Sequence, residues 1–385
     1  MLPCCPVLAE PLATAVALHM PRVQLTALTS RSAARLPSTP SNIRPMKAAP
    51  KNGDPPNKPS DAEIAEVVRR LAPFDRRLIL TGAGFSQPWG GYLTDELWSV
   101  IVSDSRIRGR PKVDRLLHRT FNFEEALGQV EVTKRASYSN DDREVLRQVV
   151  LDGFRAQEKR MRGILDGHLV ITALATLAKD LATNNATKCI FTLNQDLLAE
   201  RLMRTMKRPQ VVVPGVNHED WWFDSNGPAG SGVGTKVQVR DFDPHDIEST
   251  KGQLCYVKLH GSMNWQRPRG DVVVLGGAKA EFIKRFTILR LNSAIFREAL
   301  NQGAARLLVI GYGFRDRHIN AMIASAVDHG LRLWIVDPRP PGATLAALSS
   351  NRTWDAVAGY SSEPWIGLFD DASVERGMLA TFWST

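Results

Sequence analysis

The feature that most restricts the fold is a short apolar run that stops abruptly on glycine. Leu78-Ile79-Leu80 passes into Thr81-Gly82-Ala83-Gly84-Phe85-Ser86. So short a run cannot sustain a helix and reads as a buried parallel strand. Glycine is expected to let the turn take φ > 0 and to bring backbone close to a ligand. A helix starting here would point its first N–H groups at the same spot, an arrangement suited to a pyrophosphate. Two stricter fingerprints are not met. The sixth position of Gly-x-Gly-x-x-Gly is Gln87, and no lysine follows as a P-loop requires. Pro88 and Gly90-Gly91 interrupt the helix and predict a loop. An ordinary strand-to-helix corner explains the same residues.

Runs of this kind recur at 188–193, 211–213, 254–259, 306–310 and 331–336. Between them lie helical patterns. Ser60-Asp61-Ala62-Glu63 is a capping box opening a helix to about Leu71. A helix is predicted at 93–104 with Thr94 as its cap, another after Asn122, and long helical patterns fill 139–184. Further helices are expected after Asn194-Gln195-Asp196 to about Met206, at 293–302 and at 316–329, with a hairpin near 271–289. Strands alternating with helices predict an α/β, Rossmann-like, doubly wound parallel sheet. Residues 92–185 are expected as an inserted helical block and 214–252 as an insertion loop, all within one domain at 60–385. The stretch after residue 340 holds terminal helices or a strand.

The net charge of +9 suggests nucleic acid until it is located. Residues 1–53 carry Arg22, Arg31, Arg35, Arg44, Lys47 and Lys51 against Glu10 alone, which accounts for +5. The remaining body is unremarkable, so direct nucleic-acid binding is not required. Residues 1–59 are rich in Pro, Ser, Ala and Arg and are expected to be a disordered basic tail, or a stretch upstream of a start at Met20 or Met46. Pro3, Pro6, Pro11 and Pro21 would break an amphipathic targeting helix. No apolar run approaches the ~20 residues that span a bilayer. The cysteines, Cys4-Cys5, Cys189 and Cys255, lack four-ligand spacing, which argues against a structural zinc module and leads to an expectation of no metal. Cys189 and Cys255 read as buried free thiols of a cytoplasmic protein.

In a doubly wound sheet, ligands sit at the carboxyl ends of the strands. Four such ends carry polar clusters: Gly82-Ala83-Gly84-Phe85-Ser86, Thr192-Leu193-Asn194-Gln195-Asp196, His260-Gly261-Ser262, and Gly311-Tyr312-Gly313-Phe314 with Asp316-Arg317-His318-Ile319-Asn320. Each has a plain structural explanation. His260 could be a satisfied core histidine, Asn194 and Asp196 helix caps, Gly311 and Gly313 a tight turn. Trp221-Trp222 and Trp265 read as packing residues.

Taken in order, these four motifs resemble the sirtuin family, and more closely its zinc-free branch from bacterial defence systems, over roughly residues 60–340. The resemblance implies NAD as the bound dinucleotide and cleavage of its nicotinamide–ribose bond. By position it implies that Gly82, Ala83, Gly84, Phe85 and Ser86 cradle the pyrophosphate, with Thr192, Gly261 and Ser262 also in the binding site. Asn194 would orient the attacking water, Asp196 would hold the nicotinamide amide, and His260 would accept a hydrogen bond or proton from a ribose hydroxyl. Gly311, Tyr312, Gly313, Asp316, Val336 and Asp337 would line the adenosine side.

The residue types suit that chemistry. Nicotinamide leaves a cationic ring as a neutral amine, so no acid is needed, and the transition state resembles an oxocarbenium ion. A carboxylate and a polarised hydroxyl stabilise it. Two departures from zinc-ribbon sirtuins matter: the four-cysteine ribbon is missing, and Gln87-Pro88-Trp89-Gly90-Gly91-Tyr92 replaces the usual Pro-Asp-Phe-Arg continuation. The resemblance therefore implies an NAD glycohydrolase in an anti-phage response, controlled by self-association or by a separately encoded ATPase or sensor. A deacylase, an ADP-ribosyltransferase and a non-catalytic NAD or ADP-ribose sensor are the alternatives.

Overall fold

The computed structural model describes residues 59–132, 137–165, 186–205, 211–216, 236–240, 253–267, 270–276, 279–348, 351–369 and 376–384. The tail at 1–58, Trp221-Trp222 and most of the 214–252 insertion lie outside the described residues.

The strands are β1 Arg77–Thr81, β2 Lys188–Thr192, β3 Val211–Val212, β4 Val237–Gln238, β5 Leu254–Lys258, β6 Gly261–Arg267, β7 Gly270–Val273, β8 Arg306–Ile310, β9 Arg332–Val336 and β10 Val357–Ser361. Seven form one sheet in the order β10-β9-β8-β1-β2-β5-β3, and every pairing in it is parallel. Such a sheet needs cover on both faces, and all five residues of β2 are buried. From β1 the chain passes to β2 beside it, to β3 at the edge and back to β5 between them, then crosses to the other side of β1 as β8, β9 and β10. The reversal puts a switch point beside the carboxyl end of β1, where doubly wound sheets leave a crevice. The fold is the α/β, Rossmann-like architecture that the periodicity predicts, and the described residues include no zinc ribbon.

The helices follow their local signals. Helix α1, Asp61–Leu71, starts with the predicted capping box: Ser60 Oγ accepts from the Glu63 amide, and Glu63 reaches back to Ser60. After β1 come the single-turn α2, Ala83–Ser86, and a 3₁₀ turn, Gln87–Trp89, ended by Gly90 at φ 84°. Helix α3, Thr94–Ser103, is capped one residue earlier than expected. Leu93 is the N-cap, and its amide donates to Glu96 at 2.8 Å, while Thr94 is already helical. Then follow α4 Ser105–Arg108, α5 Pro111–Thr120, α6 Phe123–Val132 and α7 Asn140–Leu165. Asn122 Oδ1 accepts from the Glu124 and Glu125 amides, as its sequence position predicts.

Helices α3 to α7 enclose a second core, built around Leu97, Ile101, Leu116, Leu127, Leu146 and Val150, which also takes in Val273 and Leu275. The remaining helices are α8 Leu198–Thr205, α9 Lys279–Arg285, α10 Thr287–Leu300, α11 Arg317–Val327, α12 Pro341–Leu348, α13 Asn351–Asp355 and α14 Arg376–Trp383. None of the described helices is long and apolar enough to cross a membrane.

Two expectations need correction. The hairpin comes earlier than 271–289: β6 and β7 pair antiparallel from Gly261 to Val273, and helices occupy 279–300. Gly261-Ser262, read as the polar end of one strand, is the start of the next. At β1, Gly82 has φ −127°, and neither it nor Gly84 is among the positive-φ glycines. They are needed for close approach instead. A Cβ on Gly82 would lie 2.7 Å from Tyr312 Cα, and one on Gly84 would lie 2.8 Å from Gly311 Cα. The left-handed residue of this corner is Gly311, at φ 63°.

Candidate functional site

The turns after β1 and β8 are fastened to each other. Gly82 N–H donates to Ile310 O at 3.0 Å, Gly84 N–H to Gly311 O at 2.9 Å, and Phe85 N–H to Gly82 O at 2.9 Å. Three amides that could face a phosphate are thus spent within the protein. Phe85 is buried, stacks on Trp365 at 4.6 Å, and accepts at its carbonyl from the Trp365 indole. The β8 turn is stapled further. Tyr312 Oη donates to Asn320 Oδ1 at 2.9 Å, and Asn320 Nδ2 donates to Phe314 O at 2.7 Å. Asn320 thereby explains its place in the Asp-x-x-Ile-Asn motif as a loop clamp.

Ser86 joins the first two strand ends. Fully buried, it donates through Oγ to Asp196 Oδ2 at 2.8 Å and accepts from Asn194 Nδ2 at 3.0 Å. The hydroxyl predicted to face pyrophosphate is occupied by the two polar side chains after β2. Asp196 also caps α8, with Oδ1 accepting from Leu198 N–H at 3.0 Å, and Gln157 Nε2 lies 3.5 Å from its Oδ2. Its capping role is therefore real, although one carboxylate can accept about four hydrogen bonds. Asn194 Oδ1 has no hydrogen-bond partner among the described residues. Thr192 Oγ1 accepts from Thr81 at 2.8 Å and from the Asn194 amide at 3.0 Å, tying β1 to the start of the loop.

Beneath this loop is a buried ionic network that sequence reasoning missed. Lys258, fully buried in β5, donates to Asp196 O and to Glu200 Oε1, each at 2.6 Å, and Tyr256 Oη donates to Glu200 Oε2 at 3.3 Å. Glu158 accepts from the Leu197 amide at 2.6 Å and from Arg201. The available signal was a lysine inside an otherwise apolar strand. Ser262 and the Met263 amide donate to Gln195 O at 3.4 and 3.0 Å, so β6 holds the same loop from its other side.

His260, 1 % exposed, stands just past the end of β5. Its Nε2 lies 3.1 Å from His318 Nε2. Burial, reinforced by the nearby Lys279 charge, pushes the His260 pKa down to about 3, so the ring is a neutral acceptor at pH 7. His318 is lowered in the same direction, chiefly by burial. Asp316 ion-pairs with Lys279 at 2.5 Å, and Lys279 also reaches Glu124 at 2.9 Å. Burial would raise the Asp316 pKa, but His260 and Lys279 outweigh it and hold the carboxyl below its usual range.

The fold thus brings Ser86, Thr192, Asn194, Asp196, His260 and Ser262 to one edge, and sets Gly311 and Tyr312 against Gly82 and Gly84. Gly313 sits 3.7 Å, from its would-be Cβ, to Arg339. Asp337 follows Val336, whose carbonyl accepts from the Gly311 amide at 3.0 Å, and it is held in a bidentate ion pair with Arg339 and by a hydrogen bond from Thr344.

Residues 188–357 match the family model of the SIR2-like domain. That range runs from β2 to the start of β10 and leaves out β1 with its glycine turn. Among solved structures, a mutant Sir2 homologue in complex with 2′-O-acetyl ADP ribose is 12% identical with a TM-score of 0.38, covering 82% of this chain and 97% of that one. A Sir2 homologue–NAD complex is 10% identical with a TM-score of 0.37, covering 82% and 94%. A structure titled for the mechanism and regulation of Sir2 enzymes is 13% identical at 0.29, covering 83% and 99%. No curated protein matches the chain.

Proposed function

Because this chain is sirtuin-like, with a SIR2-like domain at residues 188–357, we propose that it is an NAD glycohydrolase releasing nicotinamide and ADP-ribose. The observation that carries this reading is the Ser86–Asn194–Asp196 cluster at the end of β2, with the buried neutral imidazole of His260 at the end of the neighbouring β5. A module that only bound a nucleotide would not need both the Asn194 amide and the His260 imidazole.

In this reading each side chain has one task. Asn194 is held by Ser86 through Nδ2, which turns Oδ1 outward as an acceptor that orients water without titrating. Asp196 keeps a negative charge near a developing cation and offers its remaining acceptor capacity to the nicotinamide amide. His260 accepts a hydrogen bond from a ribose hydroxyl, raising electron density at the ribose as the bond to nicotinamide weakens. With its pKa depressed, His260 acts as a hydrogen-bond acceptor rather than a strong base. The turn amides spent on each other leave less of the pyrophosphate to the β1 turn than the resemblance implies.

An unregulated NAD hydrolase would deplete its host. Self-association or a partner protein is the restraint we assign, in keeping with a role in anti-phage defence. Chromatography of products from purified protein and NAD tests the reaction. The expected result is nicotinamide and ADP-ribose from wild type, with turnover lowered ~100-fold or more in Asn194→Ala. Consumption of NAD only when an acylated peptide or protein acceptor is supplied would replace this reading with a transferase or deacylase.

A further inference from the structure

We infer that His260, His318 and Asp316 form a binding site for a divalent transition-metal ion of the zinc type. One ligand atom from each of the three lies within 4.8 Å of the other two. Ligands on a tetrahedral zinc ion at ~2.0–2.1 Å are spaced by ~3.4 Å. The two Nε2 atoms, 3.1 Å apart, already have nearly that separation. Lys279 engages Asp316 at Oδ1, which leaves Oδ2 to turn toward an ion. Three protein ligands leave a fourth position for water, as open zinc sites do.

The surroundings match what metal-binding imidazoles require. Nε2 of His260 faces Nε2 of His318 at 3.1 Å, and one proton lies between them. Ion binding needs no net proton loss, because the ring that carries this proton can move it to its own Nδ1 and present a lone pair. Lys279 keeps Glu124 as its second partner, so its charge stays compensated when Asp316 turns to an ion. His318 and Asp316 are half-buried, which leaves an approach from solvent. Imidazole and carboxylate together suit zinc, cobalt and nickel better than magnesium or calcium.

This site is separate from the cysteine ribbon whose absence the sequence makes plain. Metal binding does not rest on the NAD reading. One consequence does: an ion on Nε2 withdraws the acceptor proposed for the ribose hydroxyl, making zinc an inhibitor.

The test is cobalt titration of chelator-treated full-length protein, followed by visible absorption with no NAD present. Wild type should give the intense bands of four-coordinate cobalt at one equivalent, displaced by zinc. His318→Ala and Asp316→Asn should each weaken binding by ~100-fold or more, beyond the loss typical of an outer support. His329→Ala, an exposed histidine bonded to its own helix, should leave it unchanged. Absence of the bands in wild type, which needs no variant to fold, would overturn the site. So would His318→Ala binding cobalt as wild type does.

Discussion

Lys258→Met is the sharpest test of how the Asn194–Asp196 loop is held. Lys258 is the buried cation under that loop, with Nζ 2.6 Å from both Glu200 Oε1 and Asp196 O. Methionine keeps the stem's volume but removes both bonds. Glu200 would then be buried with Tyr256 as its partner, at 3.3 Å. Removing one member of a buried pair costs ~3–5 kcal/mol, because the other charge stays uncompensated. At roughly 2 °C per kcal/mol for a domain of this size, thermal melting should drop by about 6–10 °C. The assay is calorimetric melting of Lys258→Met, Glu200→Met and the double variant at pH 7. The double variant should regain most of the loss, since apolar replacement of a buried pair is often near neutral. A single variant as stable as wild type, or a double variant no better than Lys258→Met, would refute the network.

Other outcomes follow from the same contacts. Gly311→Ala should destabilise by ~2–5 kcal/mol in urea titration, since its Cβ would lie 2.4 Å from Gly84 C and Phe85 N at φ 63°. Gly342→Ala, whose Cβ would meet nothing within 4 Å, should stay within ~0.5 kcal/mol. The His260 pKa is about 3 when folded and near 6.5 when unfolded, so between those values the unfolded chain binds the extra proton. Stability should therefore be full above pH 6.5 and fall on acidification by up to ~1.4 kcal/mol per unit. His260→Gln should flatten that slope, as read by urea midpoints from pH 7 to 4.

Much of this architecture was legible because its strands are buried on both faces. Continuous apolar runs such as 188–193 and 306–310 betray themselves without any partner. Ser60 and Asn122 were equally plain, since a cap needs only neighbours within four residues. The hairpin was misplaced although β6 alternates Met263 and Trp265 with Ser262, Asn264 and Gln266, because its opening Gly261-Ser262 reads as the polar end of the preceding strand. At the site, sequence order identified strand ends but not what each polar atom touches. Ser86 looks the same whether it faces phosphate or, as here, Asn194 and Asp196. Gly82 and Gly84 announce a tight place, yet whether ligand or backbone fills it depends on β8, more than 220 residues away. His318 and Lys279 come from distant elements and acquire meaning only when α9 and α11 bring them to His260.

The measurement closest to the central claim is NAD turnover in ¹⁸O-labelled water, with mass analysis of the ADP-ribose formed. The account predicts nicotinamide release and one ¹⁸O in each ADP-ribose, with Asn194→Ala and His260→Ala inactive but folded. Unlabelled or cyclic product, or no consumption of NAD by the wild-type protein in any assembly state, would contradict it.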